Sequence, residues 1–70
     1  DEADALRRRA LQLVADRFEA RTWRACWLVV MEGRPAEVVA QALGMSVNAV
    51  RVAKSRVLGC LRQEFGDLID

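Results

Sequence analysis

The sequence has no histidine, only two cysteines, a single proline, and no acidic residue anywhere between Val47 and Gln63. Without histidine, a zinc site would need four cysteine or acidic ligands. Cys26 and Cys60 are far apart and neither belongs to a CxxC pair, so no metal is expected. Both fall at apolar helical positions and read as reduced core residues. Neither cysteine has a base to activate it, and no glycine-rich loop could cradle a phosphate, so an enzyme is not expected, nor a cofactor. No run of about 20 apolar residues exists to span a membrane. The N-terminus is acidic where a signal peptide would be basic. The start at Asp1 rather than Met suggests an excised piece of a longer chain.

What is present is a dense apolar content. Seventy residues, 53% of them hydrophobic, suit one small domain spanning 1–70. The net charge of +1 says little by itself. Its distribution says more. Asp1, Glu2 and Asp4 lie at one end and Glu64, Asp67 and Asp70 at the other. Between Val47 and Gln63 the charged residues are Arg51, Lys54, Arg56 and Arg62. That is a local basic footprint of the kind that meets an anionic partner.

The apolar spacing predicts four helices, over about 3–18, 22–32, 35–43 and 47–65. In the first, Leu6, Ala10, Leu13, Val14 and Phe18 share a face, with the early acids favouring the positive end of the helix dipole. Arg7, Arg8 and Arg9 form either a solvated face or a contact with nucleic acid or an acidic partner. Thr22 reads as the N-cap of the second helix. There Trp23, Cys26, Trp27, Val30 and Met31 form a core stripe, while Ala25, Leu28 and Val29 point the other way. Such a helix is either buried on two sides or covered by a partner, which makes Leu28 and Val29 the candidate partner surface. Pro35 suits the first position of the third helix, where its missing N–H costs nothing.

The segment Ala36–Ser55, AEVVAQALGMSVNAVRVAKS, is the most informative. Val39, Leu43, Met45, Val50 and Ala53 are spaced as in a helix, tight turn and second helix. Gly44 accepts a positive φ at the turn, and Ser46 can cap the next helix. Advancing about 100° per residue from Val50 puts Val47, Ala53, Val57 and Leu61 on the inner side. Asn48, Val52, Ser55 and Gly59 fall opposite, flanked by Ala49, Arg51 and Arg56. Asn48 and Ser55 can hydrogen-bond base edges, Arg51 and Arg56 can take guanine edges or phosphates, and Val52 can touch a thymine methyl. Arg34 sits at the mouth of the third helix, within reach of a phosphate. Lys54 projects near the core side, to snorkel toward a phosphate or to pair with an acid such as Glu37. Gly59 in mid-helix has no evident reason beyond close approach by a partner.

Phe18 to Glu64, about two-thirds of the chain, resembles region 4 of bacterial sigma factors of the extracytoplasmic-function type. The phrase MEGRPAEVVAQALGMSVNAVRVAKSRVLGCLRQE carries the likeness. It has an acidic-Gly end to a helix, a short helix closing in Leu-Gly, a Met-Ser-Val entry with Val50-Arg51, and a basic last helix. The resemblance implies an all-α, four-helix domain with a helix-turn-helix of the winged-helix-like superfamily, without a wing. It implies cytoplasmic recognition of the −35 promoter element in double-stranded DNA, with core RNA polymerase docked through its β flap and a possible anti-sigma factor. By position, Asn48, Ala49, Arg51, Val52, Ser55 and Arg56 are then base-reading candidates, and Arg34 and Lys54 phosphate candidates. Val52, Ala53 and Lys54 depart from the residues common at those positions, which bears on the base preference. The part of such factors that reads the −10 element is absent, so this piece alone is not expected to initiate transcription. Two other readings remain: a LuxR-like response-regulator domain with a similar Gly-turn-Ser entry, and a protein-docking module that does not bind DNA.

Overall fold

The computed structural model describes residues 2–66, so Asp1, Asp67 and Asp70 lie outside the described residues. These residues are all-helical: α1 (Glu2–Leu13), a 3-10 turn (Ala15–Arg17), α2 (Ala20–Val30), α3 (Ala36–Leu43) and α4 (Val47–Phe65). Two buried clusters organise them, and both draw on α2 and α4. In the first, Ala10 and Leu11 of α1 meet Val14, Cys26 of α2, and Val57 and Leu61 of α4. In the second, Ala25 and Leu28 of α2 meet Val39 and Ala40 of α3 and Val50 and Ala53 of α4. Helix α2 is therefore buried on two sides, one of the two arrangements its all-round apolar surface permits. Trp27 packs against both clusters. The alanines at 25, 40 and 53 are all buried in the second cluster.

The first helix is shorter than its apolar spacing predicts. It ends at Leu13, and Val14 takes φ −103° and ψ 5° before the 3-10 turn. The Arg17 N–H closes that turn on the Val14 carbonyl at 3.0 Å. The turn sets Arg17 against Glu64 of α4 as an ion pair, with the guanidinium 3.8 Å from the Cys60 Sγ. Phe18 then packs on the first cluster in an extended conformation. The buried face of α1 is also rotated from the expected one. Leu11 is fully buried, whereas Leu6 and Leu13 are half-exposed.

Helix α2 also starts earlier than expected, at Ala20. Glu19, not Thr22, is the N-cap residue, and its carbonyl accepts the Trp23 N–H at 3.0 Å. Thr22 lies inside the first turn. Trp23 stacks on Trp27, with ring centroids 5.2 Å apart, and donates its Nε1–H to the Leu11 carbonyl at 2.8 Å. That bond ties α2 to α1 and satisfies an indole N–H that would be costly to bury unpaired. Pro35 is the N-cap of α3 rather than its first residue. Its backbone is extended, and its carbonyl accepts the Val39 N–H at 3.1 Å.

None of the described helices is long and apolar enough to cross a membrane. Gly59 lies inside α4, and a Cβ built there meets nothing within 4 Å. No neighbour within the described chain requires the glycine. Gly59→Ala is therefore expected to stabilise the domain by about 1 kcal/mol, the helix-propensity difference. Chemical denaturation checks this, and an unchanged or lower midpoint would mean that the site is strained.

Candidate nucleic-acid interface

The chain between α3 and α4 is fixed by its own backbone. Gly44 takes φ 67° and ψ 37°, a left-handed conformation that few residues with a Cβ adopt at low cost. The N–H groups of Gly44 and Met45 both return to the Ala40 carbonyl, Met45 at 2.8 Å, closing the end of α3. Ser46 is extended and its Oγ accepts the Ala49 N–H at 3.0 Å. Three successive residues thus end one helix, reverse the chain and start the next. The direction of α4 relative to α3 is set by these bonds together with Val39, Ala40, Val50 and Ala53 packed beneath them.

With Val50, Ala53, Val57 and Leu61 buried, the opposite side of α4 faces outward. Asn48, Arg51, Val52, Ser55 and Arg56 are all exposed. Ala49 is half-buried, and its N–H is engaged by the Ser46 cap. Val52, at 42% exposure, is an apolar side chain amid polar and basic ones. Among the described residues, Arg51, Lys54 and Arg56 form no ion pair. Their charge is available to an external anion without first breaking an internal contact.

The remaining expected site residues fall elsewhere. Arg34 is exposed, but its Nε lies 3.1 Å from a Glu32 carboxylate oxygen. A phosphate at Arg34 would compete with that surface pair, which is itself worth little. Lys54 is exposed and is not paired with Glu37. Leu28 requires a correction. It is only 5% exposed, buried against Val39, Val50 and Ala53, so its outward direction leads into the second cluster and not to a free surface. Val29 is half-buried beside the same cluster.

Two further α4 residues share a surface with the basic ones. Arg51, Lys54, Ser55, Leu58 and Arg62 line an open groove of about 410 Å³ along one flank of the helix. Leu58 and Arg62 were legible in principle, because the helical wheel places both within about 20° of Arg51. The expected strip stopped short of them by following only the first turns of α4. The other flank carries Arg56, Cys60 and Glu64, the last two of which Arg17 contacts. Its hydrogen bonds to Glu64 and then to Cys60 raise the pKa of Arg17 above its ordinary value.

Compared with protein-family models, with curated proteins and with solved structures, the chain finds no match in any of the three. The case for a function therefore rests on the geometry of α4 and on the sequence that forms it.

The Cys26 thiol lies fully buried behind α4, and burial pushes its pKa up to about 11, against a weaker opposing pull from the Lys54 charge. A raised pKa means that the folded chain keeps a proton that the unfolded chain gives up. This contribution to stability is complete below about pH 9 and is lost as the pH rises from there through about 11. Between those values the melting midpoint of the native chain should fall further than that of Cys26→Ala. Parallel pH profiles for the two proteins would contradict the assignment.

Proposed function

We propose that the chain is a DNA-binding unit in which α3, the Gly44 turn and α4 form a helix-turn-helix. In this reading α4 enters the major groove of a −35 promoter element, on behalf of a bacterial sigma factor working with core RNA polymerase in the cytoplasm. The observation that carries the reading is the outward face of α4. It is exposed, free of acids from Val47 to Gln63, and held at a fixed angle by the capped turn. Surface helices ordinarily mix acids with bases. A face made of Asn48, Arg51, Val52, Ser55 and Arg56 offers hydrogen-bond donors and acceptors, cations and one methyl-bearing side chain, the set that base edges and phosphates require. The resemblance of Phe18–Glu64 to sigma region 4 narrows the target from DNA in general to a promoter element.

A LuxR-like domain would use α4 in the same way and differ in the site it reads. The second class of reading is a docking module for the polymerase flap or an anti-sigma factor, without DNA binding. Val29 and the half-exposed Val38 on α3 favour it, but buried Leu28 takes no part. Salt dependence separates the two classes, because a phosphate-dominated complex weakens steeply as counterions are added.

Selection of sites from a randomised duplex library at low salt is expected to enrich one short motif. Arg51→Ala and Arg56→Ala should each weaken binding to it by about 1–3 kcal/mol while leaving the helical circular dichroism intact. Unchanged affinity in both folded variants would exclude this face as the reader. Val52 supplies a finer expectation. Replacing the contacted thymine by deoxyuridine removes one methyl group and should cost about 0.8 kcal/mol, roughly fourfold in affinity. In Val52→Ala that difference should shrink. Equal affinities for the two duplexes in the native chain would remove Val52 from the set of base contacts.

A further inference from the structure

One polar contact to the α3–α4 unit comes from outside it. Arg21, in the first turn of α2, donates its Nη1–H to the carbonyl of Leu43, the last residue of α3, at 3.5 Å. We infer that Arg21 is a positioning residue for base reading. From α2 it holds the C-terminal end of α3, and so fixes the angle at which α3 and α4 together meet DNA. The inference rests on the DNA-binding reading and adds to it a residue that touches neither bases nor phosphates.

Three observations support it. The first is what the end of α3 lacks. The last carbonyls of a helix have no partner within it and form the negative end of its dipole. The Gly44 and Met45 N–H groups both turn back to the Ala40 carbonyl, so neither reaches that of Leu43. The last turn of α3 contains no basic residue of its own. Arg21 brings a cation there from 22 positions away in the chain. The second is availability. Arg21 is exposed, and among the described residues no carboxylate pairs with it. Arg17, by contrast, is held by Glu64. The third is place. Leu43 is followed at once by Gly44, whose left-handed backbone reverses the chain, and then by the Ser46 cap that starts α4. Helix α2 therefore grips the unit at two points. Ala25 and Leu28 pack against α3 and α4 in the second cluster. About one turn earlier on α2, Arg21 holds the end of α3. A second attachment on the same helix stops α3 from pivoting about the cluster.

The angle matters because of how such a pair meets a duplex. The first helix crosses the backbone while the second lies among the bases. Backbone contacts set the register, and base contacts read the sequence at that register. An α3 that pivots lets α4 sit at more than one register, and right and wrong bases are then told apart less well. What Arg21 supports is sequence discrimination, not attraction to phosphates.

The test uses the whole chain, the duplex motif enriched from the library and a scrambled duplex of the same length. Affinities are measured by fluorescence anisotropy over a range of salt for the native chain, Arg21→Met and Arg21→Lys. Methionine keeps an unbranched stem without the charge, and lysine keeps the charge. Arg21→Met should lower the ratio of motif to scrambled affinity about two- to fivefold, the scale of a cation at an exposed helix end. The slope of log K against log salt should stay the same, because no phosphate contact is lost. Arg21→Lys should recover most of the ratio, since a lysine also serves at the C-terminal end of a helix. Arg24→Met, which removes a charge from the exposed side of α2, should leave the ratio at the native value. An unchanged ratio in Arg21→Met would overturn the inference, and a lowered melting point beside it would reduce Arg21 to a structural contact. A slope shallower by about 0.9 would make Arg21 a phosphate contact instead. An equal fall in Arg24→Met would reduce the effect to general charge. No enriched motif, or no binding by the native chain, would overturn the DNA-binding reading itself, and the role of Arg21 with it.

Discussion

The seam between α2 and α4 is the constraint on which the rest of the structure depends. Both buried clusters lie along it, one toward α1 and one toward α3. Cys26 meets Val57 and Leu61 on one side, and Ala25 and Leu28 meet Val50 and Ala53 on the other. A domain this small buries a limited fraction of its surface, so one helix that is apolar on two sides serves where two separate layers would otherwise be needed. The fully buried side chains are of modest size, chiefly Leu11, Leu61, Val14, Val39, Val50, Val57 and Cys26. The larger aromatics, Trp23, Trp27 and Phe18, pack around the first cluster as partly buried cover.

Because α4 gives one side to this seam, its remaining surface is free for other use, and its composition changes accordingly. The inner positions are Val, Ala and Leu, while the outer ones are Asn, Arg, Ser, Lys and a lone exposed Val, followed near the end by Gln63 and Glu64. The proposed reading face and the basic flank are both consequences of that division. The capped turn at Gly44, Met45 and Ser46 makes the division directional. It fixes where α4 begins, so the same residues are always presented first. Preorganisation of this kind reduces the ordering cost on association.

Much of the local chemistry was legible in the sequence, although the helix starts at Thr22 and Pro35 were misplaced, since Glu19 caps α2 and Pro35 itself caps α3. The bounds of α4, the left-handed Gly44 and the Ser46 cap follow from short-range rules about glycine, serine and the helix ends. The buried positions 50, 53, 57 and 61 follow from one helical period. The parts that depend on what packs where were not legible. Nothing local at Val14 announces the break in α1, since the spacing of apolar residues continues to Phe18. The reason lies across the domain, where Arg17 meets Glu64 and Phe18 meets the first cluster. Leu28 was misread for a related reason. A wheel shows which residues oppose Cys26, but not that a second cluster waits on that side. Lys54 and Arg62 belong to one groove only once the whole length of α4 is considered.

The stacked pair of Trp23 and Trp27 has a practical consequence. The chain contains two tryptophans and no tyrosine, so its ultraviolet fluorescence arises almost wholly from one helix. Trp23 is anchored to the Leu11 carbonyl on the α1 side, while Trp27 touches both clusters. Light emitted by this pair therefore samples the α1 half and the α3 half of the domain together. A detachment of α1 alone would perturb chiefly the anchored indole, whereas a complete loss of packing would perturb both. The molecule thus carries its own optical gauge of whether its two halves come apart in one step or two.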